Sequence, residues 1–153
     1  MRPRFAADSN VGRLARWLRI LGYDASYHPH VRDAELVRLA LAQGRVLLTR
    51  DEDLMRRRVI ASGQLRAVLV GPDRVGEQLR QVVRSLGLDG ERALTRCLEC
   101  NVELETRAAA AVAARVPPFV RATQRRYSGC PGCARVYWSG THWWRMRALI
   151  GSL

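Results

Sequence analysis

The sequence contains no lysine: all 26 of its basic side chains are arginine. Acids are few, 14, and none follows Glu105, although eight arginines do. No apolar run approaches the ~18 residues that a membrane span needs. No short apolar block follows a basic N-terminus, as a secretory signal would require. These absences argue against a membrane protein and set the expectation of a cytoplasmic one. Aromatic residues make up only 7%, yet three of the four tryptophans fall beyond residue 90.

What is present suffices for a core. Hydrophobic residues are 48% of 153, enough for one domain or for a compact domain with a small metal-stapled module. The formal charge is +12. A small chain this basic meets a polyanion, nucleic acid foremost. An anionic membrane surface is the alternative, but no basic amphipathic segment with a long apolar face is evident.

Strand and helix signals alternate through the first 90 residues. A short run at 4–7 ends at Asp8, and apolar residues at 11, 14, 18 and 21 then make a helical stripe that Gly22 stops. A weak strand at 25–27 precedes a helix that Asp33 can cap and that continues to Gln43. Val46 to Thr49 is the clearest buried strand. Residues 53–62 read as helical, 67–70 as a strand and 74–86 as a helix. The alternation predicts an α/β domain over residues 1–90, with a mainly parallel sheet and helices on both faces. Residues 91–153 form a second module, containing a short helix at 108–114.

Sites in such sheets form at the carboxyl ends of strands. Asp8 and Asp51 follow two strands, Asp53 lies one step into the next helix, and Asp33 heads another helix with Glu35 in its first turn. Crowded carboxylates repel one another, and a divalent cation relieves that repulsion. Hard oxygen donors suit Mg²⁺ or Mn²⁺, ions that stabilise charge on a phosphoryl group. The plainer alternative is that Asp8 and Asp33 are helix caps and Asp51 pairs with an arginine.

Cys97-x-x-Cys100 and Cys130-x-x-Cys133 are two knuckles separated by 29 residues. Together they supply the four sulfurs of a closed, structural zinc site. His142 is not needed as a ligand.

Arg13, Arg16 and Arg19 recur beside Trp17 on the first helix. Farther on come Arg121, Arg125, Arg126 and Tyr127, then Arg135, Tyr137, Trp138, Trp143, Trp144, Arg145 and Arg147. Arginine binds phosphate and exposed rings stack on unpaired bases. Arg13, Arg16, Arg125, Arg126 and Arg145 are the candidate RNA contacts, and at least two of the three late tryptophans are expected in the core.

These residues together resemble the Mut7-C family. The resemblance runs through Asp8, Gly12-Arg13-Leu14-Ala15-Arg16-Trp17-Leu18-Arg19, Leu21-Gly22-Tyr23-Asp24, Asp33-Ala34-Glu35-Leu36 and Gly44-Arg45-Val46-Leu47-Leu48-Thr49-Arg50-Asp51. It continues through Arg96-Cys97-Leu98-Glu99-Cys100-Asn101, Cys130-Pro131-Gly132-Cys133 and Val136-Tyr137-Trp138-Ser139-Gly140-Thr141-His142-Trp143. It implies a PIN-like three-layer α/β/α sandwich with a C-terminal zinc ribbon. It also implies Mg²⁺- or Mn²⁺-dependent RNA cleavage, with acidic roles on Asp8, Asp33, Asp51 and Asp53, Glu35 sharing or replacing Asp33. Tyr127-Ser128-Gly129 departs from the family pattern, which has a bulkier aromatic before the second knuckle. Three other readings remain open: a non-catalytic zinc-ribbon RNA-binding module, a toxin-like nuclease held by a regulatory protein partner, and, least supported, a phosphatase using Asp51.

Overall fold

A computed structural model describes residues 1–153. Four parallel strands form one sheet in the order β2-β1-β3-β4: β1 (Phe5–Asp8), β2 (Ala25–His28), β3 (Val46–Thr49) and β4 (Ala67–Leu69). β1 and β3 are buried along their whole length, as central parallel strands covered on both faces must be.

The two-residue alternation of a strand sorts their side chains between two cores. Phe5, Ala7, Val46 and Leu48 face α1 (Gly12–Ile20) and α5 (Val75–Leu86). Ala6 and Leu47 face α2 (Asp33–Gln43), α3 (Glu52–Met55) and α4 (Arg58–Ala61). The result is the expected three-layer α/β/α sandwich. Two local expectations change. The helical stretch at 53–62 is two single turns, broken where Arg57 adopts ψ 138°. Asp33 does not cap α2: it is the first helical residue, and Arg32 precedes it without a side-chain cap.

Beyond residue 90 lies a three-stranded antiparallel ribbon, β5 (Glu105–Arg107), β6 (Tyr127–Gly129) and β7 (Val136–Tyr137), in that order. Between β5 and β6 lie α6 (Ala109–Val112), a 3₁₀ turn (Ala113–Arg115) and α7 (Pro118–Thr123). Val112, Val116 and Tyr127 make a small core there. The Arg107 stem lies over Gly129, where a Cβ would meet it at 2.8 Å. The last helix, α8 (Thr141–Gly151), returns Ile150 and Leu153 to the core beneath α1.

The knuckle of Cys97 and Cys100 is fastened to the amino-terminal edge of the parallel sheet. Arg19 donates to Ala25 O at 2.8 Å and to Leu98 O at 2.7 Å. Asn101 accepts from Ala25 N at 3.0 Å and donates to Asp24 Oδ1 at 2.7 Å. Arg45 closes on the same carboxylate at 2.6 Å. Burial alone would push the Asp24 carboxyl up, but the hydrogen bonds from Arg45 and Asn101 outweigh it and hold the group below its ordinary value. Gly22 admits the linker: it has φ +87°, and a Cβ there would lie 2.0 Å from Arg92 O.

Candidate active site and metal centre

In this strand order the chain leaves β1 for β2 on one side and reaches β3 on the other. The switch point therefore lies between β1 and β3, and ligand crevices open at the carboxyl ends there. Asp8 ends β1 and is 7% exposed. Its Oδ2 accepts from the Thr49 hydroxyl at 2.7 Å, and its Oδ1 accepts from Ser9 N at 2.7 Å. Thr49 Oγ1 accepts in turn from Asp51 N at 3.0 Å. Asp51 caps α3, its Oδ1 accepting from Asp53 N at 2.9 Å and Leu54 N at 3.3 Å. A single threonine thus ties the two acids, one on each side of the switch point. Neighbouring Asn10 accepts from Arg50 N at 3.2 Å, securing the same loop pair.

Thr49 and His28 are residues the sequence reading did not single out. His28 pairs in register with Asp8, so both project toward the α2 side of the sheet. Burial and the charge of Arg45 lower the His28 pKa, while Glu35 in the first turn of α2 opposes them. The net lowering disfavours the cationic imidazole. Alternation through β2 (Ser26 and His28 on one face, Tyr27 on the other) was the signal available for it.

The ion pairs separate the acids into two groups. Asp24, Asp53, Asp73, Asp89, Glu99, Glu103 and Glu105 each meet an arginine within 4 Å. Asp8, Asp33, Glu35, Asp51, Glu52, Glu77 and Glu91 meet none; of these only Asp8 is buried. Arg50, the neighbour that could have paired with Asp51, turns away to Asp73 at 2.6 Å. Asp53 points outward to Arg56 at 3.0 Å, and only its backbone N–H faces Asp51. Asp33 is half-buried and Glu35 exposed at the head of α2.

The four cysteines converge, their sulfurs all within 4.8 Å of one another. Cys97 and Cys133 are 3.8 Å apart. Zinc–sulfur bonds of ~2.3 Å give a tetrahedron with edges of about 3.8 Å, and the separation is too wide for a disulfide. The two knuckles share one backbone design. Cys97 N donates to Val102 O and Asn101 N to Cys97 O; Cys130 N donates to Arg135 O and Ala134 N to Cys130 O. Amides of Cys100, Gly132 and Cys133 point at knuckle sulfurs at 3.3–3.4 Å.

Burial opposes ionisation of Cys97, yet the Tyr137 hydroxyl at 3.3 Å and knuckle amides bring it down to about 6. Cys100 is pushed up to about 12, chiefly by the Cys133 sulfur and by burial. Four sulfurs so close cannot all ionise without a cation, and zinc fits that donor set.

A family model described as the Mut7-C RNAse domain matches residues 3–150. The chain belongs to the Mut7-C RNAse domain family. No curated protein and no solved structure matches it. Membership places the chain among ribonuclease domains, with RNA as the substrate class. No helix is long and apolar enough to cross a membrane.

In this Mut7-C RNAse domain the expected RNA contacts have different surroundings. Arg13 is exposed on α1, whereas Arg16 is held by Glu99 of the first knuckle at 2.8 Å. Arg125, Arg126 and Arg145 are exposed. Of the late tryptophans, Trp138 packs against the ribbon core, Trp143 is half-buried outside every core cluster, and Trp144 is 62% exposed. None is fully buried. His142 is exposed and stands outside the four-sulfur group.

Proposed function

We propose that this ribonuclease domain is a divalent-metal-dependent enzyme that hydrolyses RNA at the β1/β3 switch point. One observation carries the reading. In a chain with 26 arginines, the buried Asp8 has no cationic partner, and neither has Asp51, which Thr49 ties to it. A buried carboxylate is normally paired or coordinates a metal. The donors are hard oxygens with lone pairs to spare, and Asp51 Oδ2 accepts no hydrogen bond, so the set suits Mg²⁺ or Mn²⁺.

When bound, such a cation supplies charge neutralisation and Lewis acidity toward a phosphodiester. Asp8 and Asp51 are its principal holders, fixed relative to each other by Thr49. Asp33 and Glu35 offer further carboxylates from the head of α2. Asp53 stands at the outer rim. Arg13 and the exposed arginines attract the phosphate backbone, which brings the scissile bond to the acids. The zinc ribbon is structural, because four protein ligands leave no open position.

Asp51→Asn is the test, assayed on labelled single-stranded RNA and on tRNA with Mg²⁺ or Mn²⁺. Cleavage falls by at least a hundredfold while the circular dichroism spectrum is retained. Unchanged turnover would refute the assignment. RNA binding without cleavage by the wild type, with either metal, would favour a non-catalytic module.

A further inference from the structure

We infer that the ribbon carries a second RNA-binding site, a cleft that grips single-stranded RNA by its bases at the opposite end of the sheet from the acids. It rests on the ribonuclease reading only for the identity of the polyanion. The cleft has a volume of about 720 Å³ and lies between the ribbon sheet and α8. Its chemistry is one-sided. Arg96, Arg107, Arg125 and Arg126 line it, together with Tyr127, Tyr137, Trp138 and Trp143, and no acid does, although Glu103 and Glu105 meet Arg96 and Arg107 from outside the lining.

The two wall materials suit the two parts of a nucleotide. Arg125 and Arg126 are exposed and form no ion pair, so their guanidinium groups are free for phosphate. Trp143 belongs to no core cluster, lines the cleft, stands edge-on to Trp144 at 4.7 Å between ring centres, and has the Arg147 guanidinium 5.9 Å over its ring. A half-buried indole that packs no core is a platform for a base, and stacking tolerates any sequence. An acidic peptide would satisfy the arginines but would leave the indole without a planar partner, so the aromatic wall favours RNA.

Placement gives the site its role. Arg19, Asp24 and Asn101 fasten the first knuckle to the amino-terminal edge of β2, whereas Asp8 and Asp51 lie at the carboxyl edge. A four-residue strand separates these edges by about 10 Å. The cleft therefore anchors RNA at a distance from the point of cutting.

The experiment measures binding apart from catalysis. The zinc-loaded full chain carrying Asp51→Asn is titrated with a fluorescent twelve-nucleotide oligouridylate, without added Mg²⁺, over a range of salt. Adding Trp143→Ala weakens binding about tenfold, the size of one stacked base. Trp143→Phe recovers most of that loss, which a folding defect would not allow. Adding Arg126→Ala instead lowers the slope of log affinity against log salt by about 0.7. Zinc content stays at one per chain in each. Affinity and salt slope unmoved by Trp143→Ala and Arg126→Ala would overturn the cleft, as would loss of affinity on Trp143→Ala that Phe does not restore. Either result leaves the acid site untouched, since that stands or falls on cleavage by the chain with Asp51 intact.

Discussion

The Thr49 hydroxyl donates to Asp8 Oδ2 at 2.7 Å, across the pair of strands that flank the switch point. The same oxygen accepts from Asp51 N, so one side chain sets the spacing of both acids. Thr49 is fully buried. Thr49→Val leaves a buried carboxylate oxygen and an amide without their partner. The expected cost is about 1–3 kcal/mol of stability, read from the urea midpoint. Cleavage should fall more than stability does, and the Mn²⁺ concentration for half-maximal rate should rise. A rate equal to wild type would show that the acids keep their spacing without Thr49.

The attachment of the ribbon rests on Asn101, which has φ +60° and so tolerates glycine. Asn101→Gly keeps the backbone and removes the bonds to Ala25 and Asp24. It should cost about 1–2 kcal/mol and raise amide exchange in the first knuckle before the parallel sheet loosens. Unchanged exchange at residues 97–104 would contradict the role given to Asn101.

Asp24 makes that attachment acid-sensitive. Its folded pKa lies below the ordinary 3.8, so the unfolded chain takes up the proton first as pH falls. The stabilising contribution is therefore complete above the ordinary value and is lost as pH drops through the folded one. Urea midpoints measured from pH 6 to pH 3 should fall less steeply for Asp24→Asn than for wild type. Parallel curves would contradict this.

Ala134 occupies the left-handed position that Asn101 holds in the other knuckle, with φ +60°. Alanine is strained there and glycine is not. Ala134→Gly should stabilise the zinc-loaded protein by up to about 1 kcal/mol, visible as a higher melting temperature. A lower one would mean that the alanine methyl makes a contact worth more than the strain.

Zinc removal should act locally. Chelation is expected to raise amide exchange through residues 97–137 while β1 and β3, buried in their own cores, stay protected. Simultaneous loss of both would show that the sheet depends on the metal.

Much of this was legible in residue patterns. The FAAD and VLLT runs are short, apolar and followed by acids, and they became β1 and β3 with Asp8 and Asp51 at their ends. The doubled Cys-x-x-Cys spacing met at one point for the same local reason: each knuckle is a closed turn. Long-range contacts left no such trace. Nothing near Asp24 announces Asn101, 77 residues away, and so the edge of the sheet that receives the ribbon was not foreseen. Asp53, one step into α3, is close enough in sequence to turn toward Asp51. Helical geometry instead set its carboxylate over Arg56, three residues on. The tryptophans misled because their number suggested core, whereas Trp143 and Trp144 lie on a helix whose buried contacts come from Ile150 near its far end and from Leu153 just beyond.

The most direct test of the central claim counts Mn²⁺ on the zinc-loaded protein by electron paramagnetic resonance, comparing wild type with Asp8→Asn/Asp51→Asn. Wild type should hold at least one Mn²⁺, competed by Mg²⁺ and absent from the double variant, with zinc content equal in both. Equal Mn²⁺ binding by the two proteins would contradict this, and Asp8 and Asp51 would then be helix caps and nothing more.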